Sequence, residues 1–395
     1  MSPALTNPSP RLHISDEVPG LLERIDGISP LLRAEAARSE EAGYLTDEVV
    51  DSLHDTGVFR TGIPAEIGGY EASACQVIEI IEKLAHADAS TGWAVMALQM
   101  ITGTTAAYGG RAATAELFAD GCRPLMAGQG TQPGRARAVD GGYLLSGSWR
   151  FASGLRHASH IHSAAVVEET GEVRIFTIPK EQAAVVENWD VMGLRATWSV
   201  DYRVEDVFVP EAYTYDCTTK SPLMGGALYR VGLANMAGMN HAGWALGVGR
   251  RMLDELATYA RTKAGVPGAA VATDQFAAEF AEAEATLRAA RAFVFEVWKD
   301  NEATLDAGEL LSTEQETLTR LSLNHATWSA ESVSSFAYKW SGTTGLRDGD
   351  LQRCFRDMHA GTQHVTSGPV VLQGCGKVLS GLAEGHSWVF FSLVP

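Results

Sequence analysis

The chain has 395 residues, 46% of them hydrophobic and 20% charged, with a formal net charge of -17 at pH 7. That is an ordinary globular composition, long enough for two or three domains. The negative charge repels phosphate backbones and anionic lipid, and no basic run offsets it locally, so neither nucleic acid nor a membrane is an expected partner.

The opening MSPALTNPSPRLHISDE lacks the apolar stretch of a signal peptide, and its Pro and Ser content reads as a frayed arm. From Asp16 to Ala119 the pattern is helical: SDEVPGLLERI, then TDEVVDSLHDTGVF with Thr46 placed as an N-cap, then ACQVIEIIEKLAHAD. After Pro124 the segments GGYLLSGSWRF, IHSAAVVEE, EVRIFTIP, AAVVENWDV and VDYRVEDVFVP are short, β-branched or aromatic, and separated by Gly, Asn or Pro. They predict a compact sheet. Beyond Pro222 helices return and stay, with Phe276, Phe280, Leu287, Val294 and Trp298 at steps of four and seven on one face. The expected fold is therefore mainly α with a central β-domain packed on a helical core.

Two long uncharged runs, ASTGWAVMALQMITGTTAAYGG and VGLANMAGMNHAGWALGVG, approach the length of a membrane span. Gly, Thr, Asn, Gln and His dilute both, which points instead to helices buried on all sides. The five cysteines at 75, 122, 217, 354 and 375 are scattered, odd in number and without a CxxC step. This argues against a disulfide framework or zinc knuckle and for a reducing cytoplasm.

HExxH, the phosphate-loop GK[ST] and the GxSxG elbow are all absent. GQGTQPG and GVGRRM lack the glycine spacing of a dinucleotide fingerprint. Two clusters remain. In WRFASGLRHASH, Trp149 and Phe151 alternate as on a strand, and Ser153-Gly154 opens a turn; His157 and His160 read as surface or strand-end residues. In LQRCFRDMHAGTQHV, the plain reading of Arg353, Arg356 and Asp357 is an ion-pair network tethering a helix. His359 and His364 are five apart and do not share a helix face as a metal pair would, so no metal is expected.

PAEIGGYEASACQVIEIIEKLAHADASTGWAV and WDVMGLRATWSVDYRVEDVFVPE resemble the N-terminal and middle-domain motifs of the acyl-CoA dehydrogenase superfamily. The likeness continues through ARTKAGVP to GTTGLRDGDLQRCFRD. It implies an N-terminal helical domain over residues 1–120, a middle β-barrel-like domain over 121–215, a C-terminal four-helix bundle over 216–395, a tetramer, and flavin held between domains and subunits.

The superfamily contains dehydrogenases and two-component monooxygenases, so the site must decide. A dehydrogenase needs a carboxylate to take a carbon-bound proton. The family places it nine residues after the Arg of the RD pair, which is Val365 here, or on the first long C-terminal helix, where no acid occurs between Asp216 and Asp254. Both are missing. The chain instead resembles the branch of p-hydroxyphenylacetate, steroid-phenol, dibenzothiophene and indole-terpenoid hydroxylases. These take FADH2 or FMNH2 from a separate reductase, react it with O2 to a C4a-hydroperoxide, and oxygenate a small aromatic substrate.

Carried over residue by residue, that resemblance makes Ser153 a donor near the flavin and His364 the guard of the oxygen adduct, with His359 as a second candidate. It assigns Trp149, Phe151, Thr197 and Ser199 to the flavin, and Arg261 to its pyrophosphate although an Ala stands at 264 where an aromatic is usual. Gly342 and Gly345 are assigned to a neighbouring subunit's cofactor. Trp93, Met96, Met100, Met236 and Met239 are candidates for an apolar substrate pocket or for a core stripe. Several phenol hydroxylases of the branch carry a His near Leu98 and Gln99; here none lies between His86 and His157, which suits a substrate that needs no deprotonation. A desaturating dehydrogenase, an amine N-oxygenase and a non-enzymatic flavin binder are the alternatives.

Overall fold

The computed structural model describes residues 11–119 and 123–395; residues 1–10, on which the frayed-arm reading falls, and Cys122 lie outside them. Helix α1 (Val18–Ala42) ends on Gly43, whose left-handed backbone lets its N–H close on the carbonyls of Ser39 and Glu40. α2 (Asp47–Thr56) follows. Thr46 stands at its N-cap position, but the hydroxyl donates to Glu35 Oε2 at 3.0 Å rather than capping the helix. Asp47 and Glu48 in the first turn supply the favourable charge at that end. α3 (Ala74–Ala87) starts with a reciprocal Ser73–Gln76 capping box. α4 (Ala89–Tyr108) is capped by Asp88, which accepts from Thr91 N–H at 2.7 Å. α5 (Arg111–Leu117) closes the layer.

α4 is the first uncharged run, and α6 (Leu233–Lys263) carries the second. No helix among the described residues is long and apolar enough to cross a membrane. Every residue of α4 is buried except Ala97 and Met100, and these two face a cavity.

The sheet runs β5-β6-β2-β1-β3-β4-β7. Its strands are β1 (Met126–Val139), β2 (Gly142–Ala152), β3 (His160–Val167), β4 (Val173–Pro179), β5 (Ala184–Val186), β6 (Val200–Pro210) and β7 (Thr214–Asp216). Only the β1–β3 pair is parallel. The sheet curls strongly. Tyr202 on β6 and Ser163 on β3 share a hydroxyl hydrogen bond at 2.6 Å across the two intervening strands, a gap of about 14 Å in a flat sheet. Strand β1 is not among the segments that the sequence predicts as strands, and it carries Gly128, Gly130, Pro133 and Gly134. Packing requires two of these glycines: a Cβ on Gly128 would meet His162 O, and one on Gly134 would meet the Trp149 indole. The ladder shifts register between Gln129 and Gly134.

α6 packs with α7 (Asp274–Asp306), α8 (Thr313–Trp340) and α9 (Asp350–Gly361), and α10 (Pro369–Leu379) packs on α8. The α7 stripe is as expected: Phe276, Leu287, Val294 and Trp298 are buried, and Phe280 is half-buried. The chain does not stay helical to its end. A short hairpin, β8 (Ser387–Val389) and β9 (Ser392–Val394), brings Phe390 and Phe391 to the cavity.

Candidate active site

The cavity, about 860 Å³, lies where α4, the start of β1, the end of β2, the loop before β6, α6 and the end of α9 meet. One wall is a chain of hydroxyls. Trp93 Nε1 donates to Ser153 Oγ at 3.0 Å, Ser153 Oγ and Ser199 Oγ are 2.7 Å apart, and Ser199 Oγ and Thr197 Oγ1 are 2.7 Å apart. Thr197 Oγ1 donates to Leu194 O at 2.8 Å. A hydroxyl has one hydrogen, and a carbonyl can only accept. The Thr197 hydrogen is therefore spent on Leu194, Ser199 must donate to Thr197, and Ser153 must donate to Ser199. The chain runs one way from the Trp93 indole. Ser153 can donate into the cavity only by turning its hydrogen away from Ser199.

Above this wall is a cluster of neutral rings. The His241 and His364 imidazoles lie 3.9 Å apart at an interplanar angle of 30°, and the Trp93 edge meets both, at 5.0 and 5.7 Å. Burial lowers the His364 pKa to about 4; burial, then the neighbouring His364, holds His241 well below the usual histidine range. His364 Nδ1 lies 2.8 Å from the Thr366 hydroxyl and accepts from the Thr366 backbone N–H at 3.4 Å. An Nδ1 that accepts must carry the lone pair, so the neutral ring keeps its hydrogen on Nε2. Behind them Trp244 stacks edge-on to Trp93 at 4.9 Å and donates to Ala89 O at 2.9 Å. Gly361 at the end of α9 leaves the space that the Trp244 ring fills.

The RD pair of α9 clamps the loop before β6. Asp357 Oδ1 accepts from Leu194 N–H at 2.6 Å, Arg356 donates to Met192 O at 2.8 Å, and Arg356 also pairs with Glu40 of α1 at 2.5 Å. Arg353 pairs with Asp350. These residues tether, as the plain sequence reading has it. Burial, reinforced by Asp88, raises the Asp357 pKa to about 7. Elsewhere on the cavity wall, His359 Nδ1 faces Glu331 Oε1 at 3.7 Å, and Glu331 Oε1 accepts from Ser335 at 2.7 Å.

Of the residues singled out in the sequence, Ser153, Thr197, Ser199, Phe151, Trp93, Met96, Met100, His359 and His364 all line this one cavity. Trp149 does not. Its ring is fully buried in the sheet, stacked on Tyr202 at 5.3 Å and donating to Ala164 O at 2.9 Å. A register shift between Trp149 and Ala152 and a φ of 64° at Phe151 break the alternation, so Phe151 turns outward, 56% exposed, while Trp149 stays inside. Met236 and Met239 are core residues, because α6 shows the cavity Leu233, Ala234, Ala237, Asn240 and His241 instead. Arg261, Gly342 and Gly345 lie at the far ends of α6 and α8 and do not line it; Arg261 donates to Thr258 at 2.9 Å.

Sequence reasoning missed His241, His162, Asn240 and Trp189. An Asn-His step inside a wholly uncharged helix was the available signal, since buried polar groups are retained only where they find partners.

Helices, curled sheet and helices around a junctional cavity form an acyl-CoA dehydrogenase-type fold. The acyl-CoA dehydrogenase N-terminal domain family matches residues 30–121, and the C-terminal domain family matches residues 239–368. The chain is 32% identical over 364 residues to indole-3-acetate monooxygenase of Pseudomonas putida, covering 90% of this chain and 92% of that one. It is 29% identical over 377 residues to the flavin-dependent monooxygenase oxygenase subunit HsaA of Rhodococcus jostii, covering 90% and 97%. The crystal structure of 3-HSA hydroxylase from Rhodococcus sp. RHA1 superposes with a TM-score of 0.86 at 27% identity, covering 91% and 96%. The chain belongs to the flavin-dependent monooxygenases of the acyl-CoA dehydrogenase superfamily. Reduced flavin and O2 are its co-reactants.

The residues present fit a flavin. Phe151 is a bulky side chain at positive φ with half its surface bare, a strained placement of the kind proteins keep at ligand clamps. Trp189 stands edge-on to it at 6.2 Å. Phe151, Trp189, the Thr197–Ser199–Ser153 hydroxyls and the Leu194 loop would hold the ring. When bound, the flavin supplies the redox chemistry with O2.

Proposed function

We propose that the chain is the oxygenase component of a two-component system that hydroxylates a small aromatic substrate, with reduced flavin delivered by a separate reductase. The carrying observation is the cavity wall itself. At Val365, where a dehydrogenase of this fold would place its acid, an apolar side chain lines the cavity, and next to it stands the neutral His364. Among the described lining residues Glu331 is the single carboxylate, and it is engaged by Ser335.

In this reading His364 offers its Nε2–H as a neutral donor to a developing negative charge on oxygen. Ser153 would turn its hydrogen from Ser199 toward a bound flavin. The apolar rings and α4 would exclude bulk water from the space in which a bound flavin supplies its chemistry with O2. The relatives favour an aromatic: two are indole-3-acetate monooxygenases, and another is the oxygenase component of a resorcinol hydroxylase from Rhizobium sp.. The assembly is a homotetramer in which Arg261, Gly342 and Gly345 serve a cofactor shared with a neighbour. Exposed Val370, Leu372, Leu379 and Leu382 on and just after α10 give it an apolar face to bury.

The test is to mix the protein with chemically reduced FAD or FMN and an indole or phenol under isotopically labelled O2. Labelled hydroxylated product is expected. Reduction of oxidised flavin by an acyl-CoA, with no labelled product from any arene, would refute the reading.

A further inference from the structure

The cavity walls carry a charge pattern that bears on which aromatic enters. Among the described residues lining the cavity there is no Arg and no Lys. Three of the four lining imidazoles do not replace them: burial lowers the pKa of His162 to about 3 and of His364 to about 4, and holds His241 lower than usual as well. The fourth, His359, faces Glu331. The neutral polar groups are largely engaged within the protein. Asn240 accepts from Gln99 at 2.5 Å and donates to Met236 O at 2.9 Å, and Gln129 Oε1 accepts from Thr131 at 2.7 Å. A carboxylate brought into this space would meet the Glu331 carboxylate and neither a guanidinium nor an ammonium group. A buried charge without a partner is strongly disfavoured.

We propose that the substrate is an uncharged, largely apolar arene and that the cavity rejects arenes bearing a carboxylate. The inference rests on the oxygenase reading and deepens it. It sets this chain apart from the relative named for indole-3-acetate, which is an anion at neutral pH.

Indole-3-acetamide and indole-3-acetate are nearly isosteric and differ by one charge. Their affinities for the full-length protein, with oxidised FAD present, can be measured by equilibrium dialysis at neutral pH. The amide should bind on the order of 100-fold more tightly than the acid. Equal affinities, tighter binding of the acid, or no measurable binding of either would overturn the proposal. Binding needs no turnover, so the two readings fail separately. A preference for the amide without any oxygenated product would sink the oxygenase reading alone. A preference for the acid together with oxygenated product would sink this inference alone.

Discussion

If the hydroxyl wall runs in one direction from Trp93, then Ser153 and Trp93 are energetically coupled, and the coupling has a definite size. Ser153→Ala removes the acceptor of a buried indole N–H, while Ser199 keeps its bond to Thr197. One donor is left without a partner, which costs about 1–3 kcal/mol. In the Trp93→Phe background that donor is already gone, so the same change should cost about 1 kcal/mol less or better; the volume lost with the indole cancels in the cycle. Urea unfolding of the parent, the two single variants and the double variant measures it. The functional arm is peroxide released per reduced flavin consumed, which should rise in Ser153→Ala. Additive costs, agreeing within about 0.5 kcal/mol, would refute the one-way chain and with it the pre-orientation of Ser153.

Two further outcomes are expected. Thr366→Val removes the hydroxyl that holds His364 Nδ1, so peroxide leakage should rise several-fold while Thr366→Ser behaves as the parent; a parent-like Val variant would show that the tautomer is set elsewhere. For Asp357 the folded-state pKa is raised from 3.8 to about 7, so its contribution to stability is present in acid below the unfolded value and is lost as pH rises through about 7. Asp357→Asn keeps an oxygen for Leu194 N–H and removes the titration. The stability of that variant relative to the parent should improve by on the order of 1 kcal/mol per pH unit between about pH 5 and pH 7, and a constant difference across that window would contradict the assignment.

Nine of the residues carried over by the family resemblance or chosen by type line the one cavity, and the others lie elsewhere for particular causes. Ser153, Thr197 and Ser199 were reached through the resemblance to the superfamily motifs, since the local pattern alone makes Ser153 a turn residue at a strand end. Trp149 and Phe151 share a face by strict alternation, yet a register shift and one positive φ separate them. That depends on the pairing of β2 with β6, which no local window contains. The methionines of α6 were chosen by type, whereas the helical period puts His241 and Asn240 on the cavity face and Met236 and Met239 on the other.

The sequence by itself determined the order of helical and sheet segments, because periodicity of apolar residues is a property of neighbouring positions. It also determined the absence of an acid at the places a dehydrogenase needs one. Only the tertiary structure decided that Trp93 links Ser153, 60 residues away, to His364, that His241 stacks on His364, and that neither Lys nor Arg is among the described residues lining the cavity. Those facts depend on which faces of distant helices and strands the core presses together, and packing of the whole chain is what selects them.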